Sequence, residues 1–175
     1  MLGLTESTNR NWVYPVPGRL DLVIREAKQE DAESISKLIC LLSAKFISHE
    51  FTTEGKETLL NSMSVGEIKK HIQTGFKFFL ALEDNHIVGV VGIKDNRHLY
   101  HLFVAERYQR RGIATRLWQV AMQACIEAGN PGEFSVNSSI FAEQAYKAFG
   151  FVVQSEPQVK NGVVYIPMKL KIDRG

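Results

Sequence analysis

Leu102-Phe103-Val104-Ala105-Glu106-Arg107-Tyr108-Gln109-Arg110-Arg111-Gly112-Ile113-Ala114 reads as a strand running through a short loop into the first turn of a helix. Free backbone amides at a helix start, backed by the helix dipole, make an anion site. Gly112 lets the backbone approach a ligand closely, and the small Ala114 keeps the next position clear. Arg107, Arg110, Arg111 and Arg116 stand against Glu106 alone, a local charge of +3 in a chain whose net charge is +2. Neither Gly-x-x-x-x-Gly-Lys nor Gly-x-Gly-x-x-Gly occurs, which excludes a triphosphate loop and a dinucleotide fold.

Downstream, Ile113, Leu117, Val120, Ala121, Ala124 and Ala128 share one helical face, and Gly129 stops that helix. Upstream, Phe76 to Leu82, Ile87 to Ile93 and His98 to Val104 are strands joined by Asp84-Asn85 and Asp95-Asn96 turns, an antiparallel meander. Earlier still come a strand from Leu20 and a helix with the stripe Ala32, Ile35, Leu38, Ile39, Leu42 and Phe46. A less regular helical region follows, which the Ser64-Val65-Gly66-Glu67 capping box restarts. After the stop at Gly129 the pattern gives a strand, Phe134 to Asn137. It then gives a helix with the stripe Phe141, Ala145, Ala148 and Phe149, and closing strands Phe151 to Gln154 and Val163 to Lys171 around Asn161-Gly162. Pro167, which has no N–H, belongs at a bulge or an unpaired edge. The order β-α-α-β-β-β-α-β-α-β-β is an α+β fold, a mixed and predominantly antiparallel sheet flanked by helices. One domain spans residues 20–172, and residues 1–19, ending in Pro15-Val16-Pro17-Gly18, are an extended N-terminal extension.

Composition narrows the function. The chain has 175 residues, 45% hydrophobic and 23% charged, enough to bury roughly two-thirds of its unfolded surface. Its near-balance of charge argues against a nucleic-acid partner. No apolar stretch approaches a membrane span. Cys40 and Cys125 form no Cys-x-x-Cys or Cys/His cluster, so no metal site is expected and a reducing, cytoplasmic setting suits the chain.

Gln109-Arg110-Arg111-Gly112-Ile113-Ala114 resembles the (Gln/Arg)-x-x-Gly-x-(Gly/Ala) loop of the GCN5-related N-acetyltransferases (GNAT), which grips the pyrophosphate of acetyl-coenzyme A. The preceding Leu102-Phe103-Val104 resembles the strand whose backbone pairs with the pantetheine arm. Ser139 to Phe151 is similar to the family's Asn-x-x-Ala-x-x-x-Tyr-x-x-x-Gly-Phe segment, with Ser139 in the place of Asn. The resemblance implies that Leu102, Phe103, Val104, Gln109, Arg110, Arg111, Gly112, Ile113, Ala114, Thr115 and Ser139 bind acetyl-CoA as co-substrate. It implies that Tyr146 is the general acid toward the leaving thiolate. Tyr146 lies roughly 100° from the middle of the Phe141, Ala145, Ala148, Phe149 stripe, so it need not enter the core. Family members place a Glu or His base six residues before the valine position, and His98 has that offset. The base is then His98 or a bound water, and the plain alternative is a strand-end histidine satisfied by solvent.

Strand parity puts His98, Tyr100, Leu102 and Val104 on one face and His101 on the other, which argues against a His-x-x-His metal pair. The expected reaction is acetyl transfer to a primary amine, most simply of a small molecule. Its pocket would be formed by the helices of residues 31–74 and the 156–162 loop. The alternatives are a protein or peptide N-acetyltransferase and a non-catalytic acyl-CoA-binding module. A homodimer is left open.

Overall fold

The computed structural model describes the backbone of residues 11–14 and, in full, residues 22–173; the Pro15 to Gly18 stretch and the first two residues of the expected Leu20 strand lie outside them. The elements in chain order are β1 (Asn11–Tyr14), β2 (Leu22–Glu26), α1 (Ala32–Phe46), α2 (Thr53–Ser62), α3 (Val65–Gln73), β3 (Lys77–Glu83), β4 (His86–Lys94) and β5 (His98–Val104). They continue with α4 (Ile113–Glu127), β6 (Glu133–Ser138), α5 (Glu143–Ala148), β7 (Val152–Val153), β8 (Gln158–Lys160) and β9 (Val163–Lys171). Among the described residues, the strands form one sheet in the order β1-β2-β3-β4-β5-β6-β9-β7, with β8 paired to β9. Every pairing is antiparallel except β5 with β6.

The fold is the expected mixed α+β sheet, with three differences of detail. Residues 11–14 pair with β2 as an added strand. The 32–73 region is three helices rather than two, because Thr52 caps α2 by accepting from Gly55 N at 3.0 Å while Ser64 separately caps α3. The partner of β9 across Asn161-Gly162 is β8, which carries no apolar alternation and reads as loop. Asp84-Asn85, Asp95-Asn96 and Asn161-Gly162 all have positive φ, the conformation such hairpin turns require.

Pro167 lies inside β9, opposite Asn137, rather than at a bulge. Its carbonyl accepts from Gln154 N at 2.9 Å, just beyond the end of β7. A strand residue turns its N and C=O to the same side, so the missing donor falls where β7 has stopped.

Each face of the sheet carries its own core. Under α4, Leu117, Trp118, Ala121 and Cys125 pack on Val91, Ile93, Leu99, Phe134 and Val136. Under α1 and α3, Ile35, Ile39 and Ile68 pack on Phe78, Leu80 and Val90. Burying each large aliphatic side chain contributes about 1.5–3 kcal/mol. Arg25 ties β2 to the start of α1 through two hydrogen bonds of 2.8 Å to Asp31, whose carboxylate also accepts from Lys28 N. The guanidinium bond is the chief cause holding the Asp31 carboxyl below its ordinary pKa.

Helix α2 meets the β8–β9 turn at two glycines: a Cβ on Gly55 would overlap the carbonyl of Gly162, and one on Gly162 would overlap Thr52 Oγ1. In an unobstructed helix, Gly→Ala stabilises by up to about 1 kcal/mol. Gly55→Ala should instead destabilise by about 1–3 kcal/mol, because the backbone of the turn must move. The denaturation midpoint of the variant should fall; an unchanged or higher midpoint would refute the close approach.

Candidate active site

β5 and β6 are held together by two residue pairs among the described residues, His98↔Ser135 and Leu99↔Val136. Beyond them β5 continues to Val104 and β6 to Ser138 without pairing. The β6-facing edge of β5 therefore offers backbone groups with no strand partner. The register between β4 and β5 also shifts: Ile93 pairs with Leu99 but Gly92 with His101, so Tyr100 is an inserted residue. A bulge of this kind breaks the alternation of side chains. Leu99, Leu102 and Val104 pack on the α4 side, while Phe103 packs on the α1 side. His101 sits 5.9 Å from Phe78 and 6.1 Å from Phe103, ring to ring, so it joins Tyr100 and Phe103 rather than facing away. The parity expected for His98 through Val104 fails at that bulge.

A first cavity of about 330 Å³ opens at the gap. It brings together His98, Leu102, Phe103, Ser139 and Tyr146, with Tyr100 and His101. Leu59 of α2 and the residues flanking that helix, Phe51 and Met63, contribute on one side, and the β8–β9 hairpin contributes Asn161 and Tyr165. The 31–74 region and the 156–162 loop, the segments expected around an acceptor, thus both line this cavity, while Tyr165 lies beyond them and carries no motif.

His98 Nδ1 is 2.8 Å from Ser135 Oγ. Burial first, and Lys94 second, push the His98 pKa below its ordinary value, so the ring is neutral at pH 7. Tyr146 is 7% exposed and packs edge-on against Phe151 at 5.8 Å. Burial raises its phenol pKa, so it holds its proton. Ser139 Oγ accepts from Ala142 N at 3.1 Å, fixing the turn into α5; its hydroxyl hydrogen stays available to a ligand.

The stripe of α5 is turned the other way from its sequence reading. Tyr146 is the buried residue of the helix, whereas Phe141 is 58% exposed and Ala145 and Ala148 are also exposed. Ala145, Ala148 and Phe149 instead line a second cavity, of about 530 Å³, with Val104, Gln109, Arg110, Gly112, Ile113, Ala114 and Thr115. Arg110 and Gly112 take φ of 59° and 77°, and no side chain caps the first turn of α4. No acidic residue stands in that turn. A Cβ on Gly112 would meet nothing within 4 Å, so the space before the amides is open. Gln109 Nε2 donates to the Val104 carbonyl at 3.0 Å, tying the loop to the end of β5. Arg111 is exposed and lies 5.3 Å over the Tyr108 ring, outside this lining. Arg107 donates to the Tyr108 hydroxyl at 2.6 Å.

Uncapped amides, a left-handed glycine and an apolar wall suit an elongated anion with an apolar arm. Residues 47–172 match the family model of the acetyltransferase (GNAT) domain, so the chain belongs to the GNAT acetyltransferase family and is an acyltransferase. No curated protein matches it. A GCN5-related N-acetyltransferase from Rhodopseudomonas palustris superposes with a TM-score of 0.73 at 18% identity, over 85% of this chain and 94% of that one. The PaiA N-acetyltransferase from Thermoplasma acidophilum, in complex with coenzyme A, gives 0.70 at 18% identity, over 86% and 99%. YncA from Salmonella typhimurium, with its cofactor acetyl-CoA, gives 0.64 at 16%, over 88% and 95%. At these identities the likeness is one of fold. Among the described residues, no helix is long and apolar enough to cross a membrane.

His101 makes stability depend on pH. Burial, reinforced by His71, pushes its pKa down to about 3, whereas the unfolded chain takes up that proton near 6.5. The unfolded state binds more protons between those values, so stability falls as pH drops from about 6.5 toward 3. His71 and His98, also lowered, act in the same sense. Denaturant midpoints at about pH 7 and about pH 5 should differ less in His101→Leu than in the wild type; an equal difference would contradict this.

Proposed function

We propose that the protein transfers the acetyl group of acetyl-CoA to a primary amine of a small molecule, by direct attack within a ternary complex. The observation that carries this reading is the meeting of His98 and Tyr146 in a cavity that adjoins the anion site through β5, with Leu102 and Phe103 on one side and Val104 on the other. The coenzyme A and acetyl-CoA held by PaiA and YncA support the choice of co-substrate.

Acetyl-CoA supplies an acyl carbon activated as a thioester. The first-turn amides of α4, with Gln109 to Thr115 around them, would hold the pyrophosphate. The edge of β5 at Leu102 to Val104, which has no strand partner, would pair with the amide arm, and an amide near Val104 would meet the oxygen charge that develops during attack. Ala145, Ala148 and Phe149 would give that path an apolar wall. With Nδ1 engaged by Ser135, His98 presents Nε2 to accept the ammonium proton, directly or through a water. Tyr146 delivers its phenolic proton to the sulfur as the carbon–sulfur bond breaks. A thiolate in the same apolar setting is also desolvated, which raises its affinity for that proton.

Thiol release from acetyl-CoA in the presence of an amine panel tests the reaction: release with at least one amine is expected, and none would overturn the reading. Tyr146→Phe keeps the ring and removes the proton, so kcat should fall by about 10²–10⁴ with KM for acetyl-CoA nearly unchanged. An unchanged rate, with chemistry limiting, would remove Tyr146 from the mechanism. Gly112→Glu places a carboxylate before the uncapped amides and should abolish coenzyme A binding by calorimetry; retained binding would displace the pyrophosphate from this loop.

A further inference from the structure

The imidazole of His101 is 2% exposed and forms part of the first cavity's wall, yet neither of its ring nitrogens has a hydrogen-bond partner among the described residues. Buried polar groups are ordinarily bonded. Phe78, Tyr100 and Phe103 surround it with rings centred 5.9, 4.7 and 6.1 Å away. The neutral ring offers one donor and one acceptor, and nothing in the proposed transfer step uses either.

Apolar side chains such as Phe51, Leu59, Met63 and Val164 make up much of the rest of the wall, with the neutral polar residues Thr58, Ser62, Asn137, Asn161 and Tyr165 among them. No aspartate or glutamate is among the described residues lining it, and the charged residue there is Lys160. Glu50, whose Oε2 is buried without a partner, belongs to the turn before Phe51 and is not part of the wall. A second positive charge taken into the cavity would therefore lose hydration with no carboxylate in the wall to meet it, which is unfavourable.

We infer that the acceptor is an amine with an apolar body, no second positive charge and one neutral hydrogen-bonding group, an amide or a hydroxyl, which His101 reads. The inference rests on acetyl transfer to an amine in this cavity and narrows it: polyamines and other polycations are excluded, and His101 is a specificity-determining residue rather than the base. An amide or a hydroxyl both donates and accepts, so it can meet the ring nitrogen turned toward the cavity in either tautomer, directly or through one water. A site built around such a bond discriminates strongly against an analogue that lacks the group.

Two matched pairs test this: leucinamide against isoamylamine, and tyramine against phenethylamine, with spermidine and putrescine as polycations. In thiol-release assays with acetyl-CoA, the polar member of at least one pair should exceed its apolar partner and both polycations by roughly tenfold or more in kcat/KM. His101→Leu should abolish the advantage within that pair and leave KM for acetyl-CoA unchanged; His101→Gln, which keeps a donor and an acceptor, should restore part of it. Calorimetric titration of the protein saturated with coenzyme A gives a readout apart from turnover. The favoured polar amine should bind His101→Leu about tenfold more weakly than wild type, and its apolar partner equally to both. A polycation turned over best, no advantage in either pair, or an advantage that survives in His101→Leu overturns the inference while leaving amine acetylation standing. Absence of thiol release with every amine overturns acetylation and the inference with it.

Discussion

Two residue pairs hold β5 to β6, and the rest of the architecture depends on that pairing stopping where it does. The strands are parallel, so a crossover must join them, and α4 is that crossover. Its N-terminus therefore lies at the C-terminal end of β5, beside the gap that opens once the strands cease to pair. Continuous pairing would satisfy the backbone of β5 within the sheet and leave no edge for a ligand. Because the ladder ends at Leu99 and Val136, one strand end has no strand partner and runs to Val104, which lines the cavity in front of the uncapped start of α4. This is the general placement of ligands at the C-terminal ends of parallel strands, achieved here with a minimal parallel pair.

The bulge at Tyr100 complements that opening. A regular β5 would send His101 into the core under α4 and leave the cavity side with every second residue from His98. The extra residue shifts the phase, so Tyr100, His101 and Phe103 all belong to the α1 side while Leu102 and Val104 stay on the α4 core. One inserted residue thus places two histidines of opposite expected parity in the wall of one cavity.

The open, uncapped turn at the start of α4 was legible because it is written in backbone requirements. A left-handed position before a helix needs glycine, free amides need an uncapped first turn, and these leave marks in a short stretch, Gln109 to Thr115. The first cavity rests on contacts between distant segments, such as Gly55 on Gly162, and each glycine alone has several ordinary readings. The bulge at Tyr100 has no local signal either, since it is settled by the partner strand. Helix α5 was misread for a different reason. An apolar stripe predicts burial against whatever lies opposite, and opposite Ala145 and Ala148 lies a cavity rather than the core. Exposed alanines beside an anion site are themselves a functional sign, visible once the fold is known.

Helix α5 also joins stability to chemistry. It has six residues, far fewer than the roughly 12–15 an isolated helix needs in water, so tertiary packing must hold it. Tyr146 is its buried residue, and the ring supplies that packing against Phe149 and Phe151. The burial that anchors the helix is the same burial that raises the phenol pKa and keeps the proton in place at neutral pH. With Tyr146 turned inward, helical geometry sends Ala145 and Ala148 to the opposite side, where small side chains leave the second cavity open. One buried ring therefore fixes the position of the proposed acid, sets its protonation state, and determines which face of α5 lines the anion site.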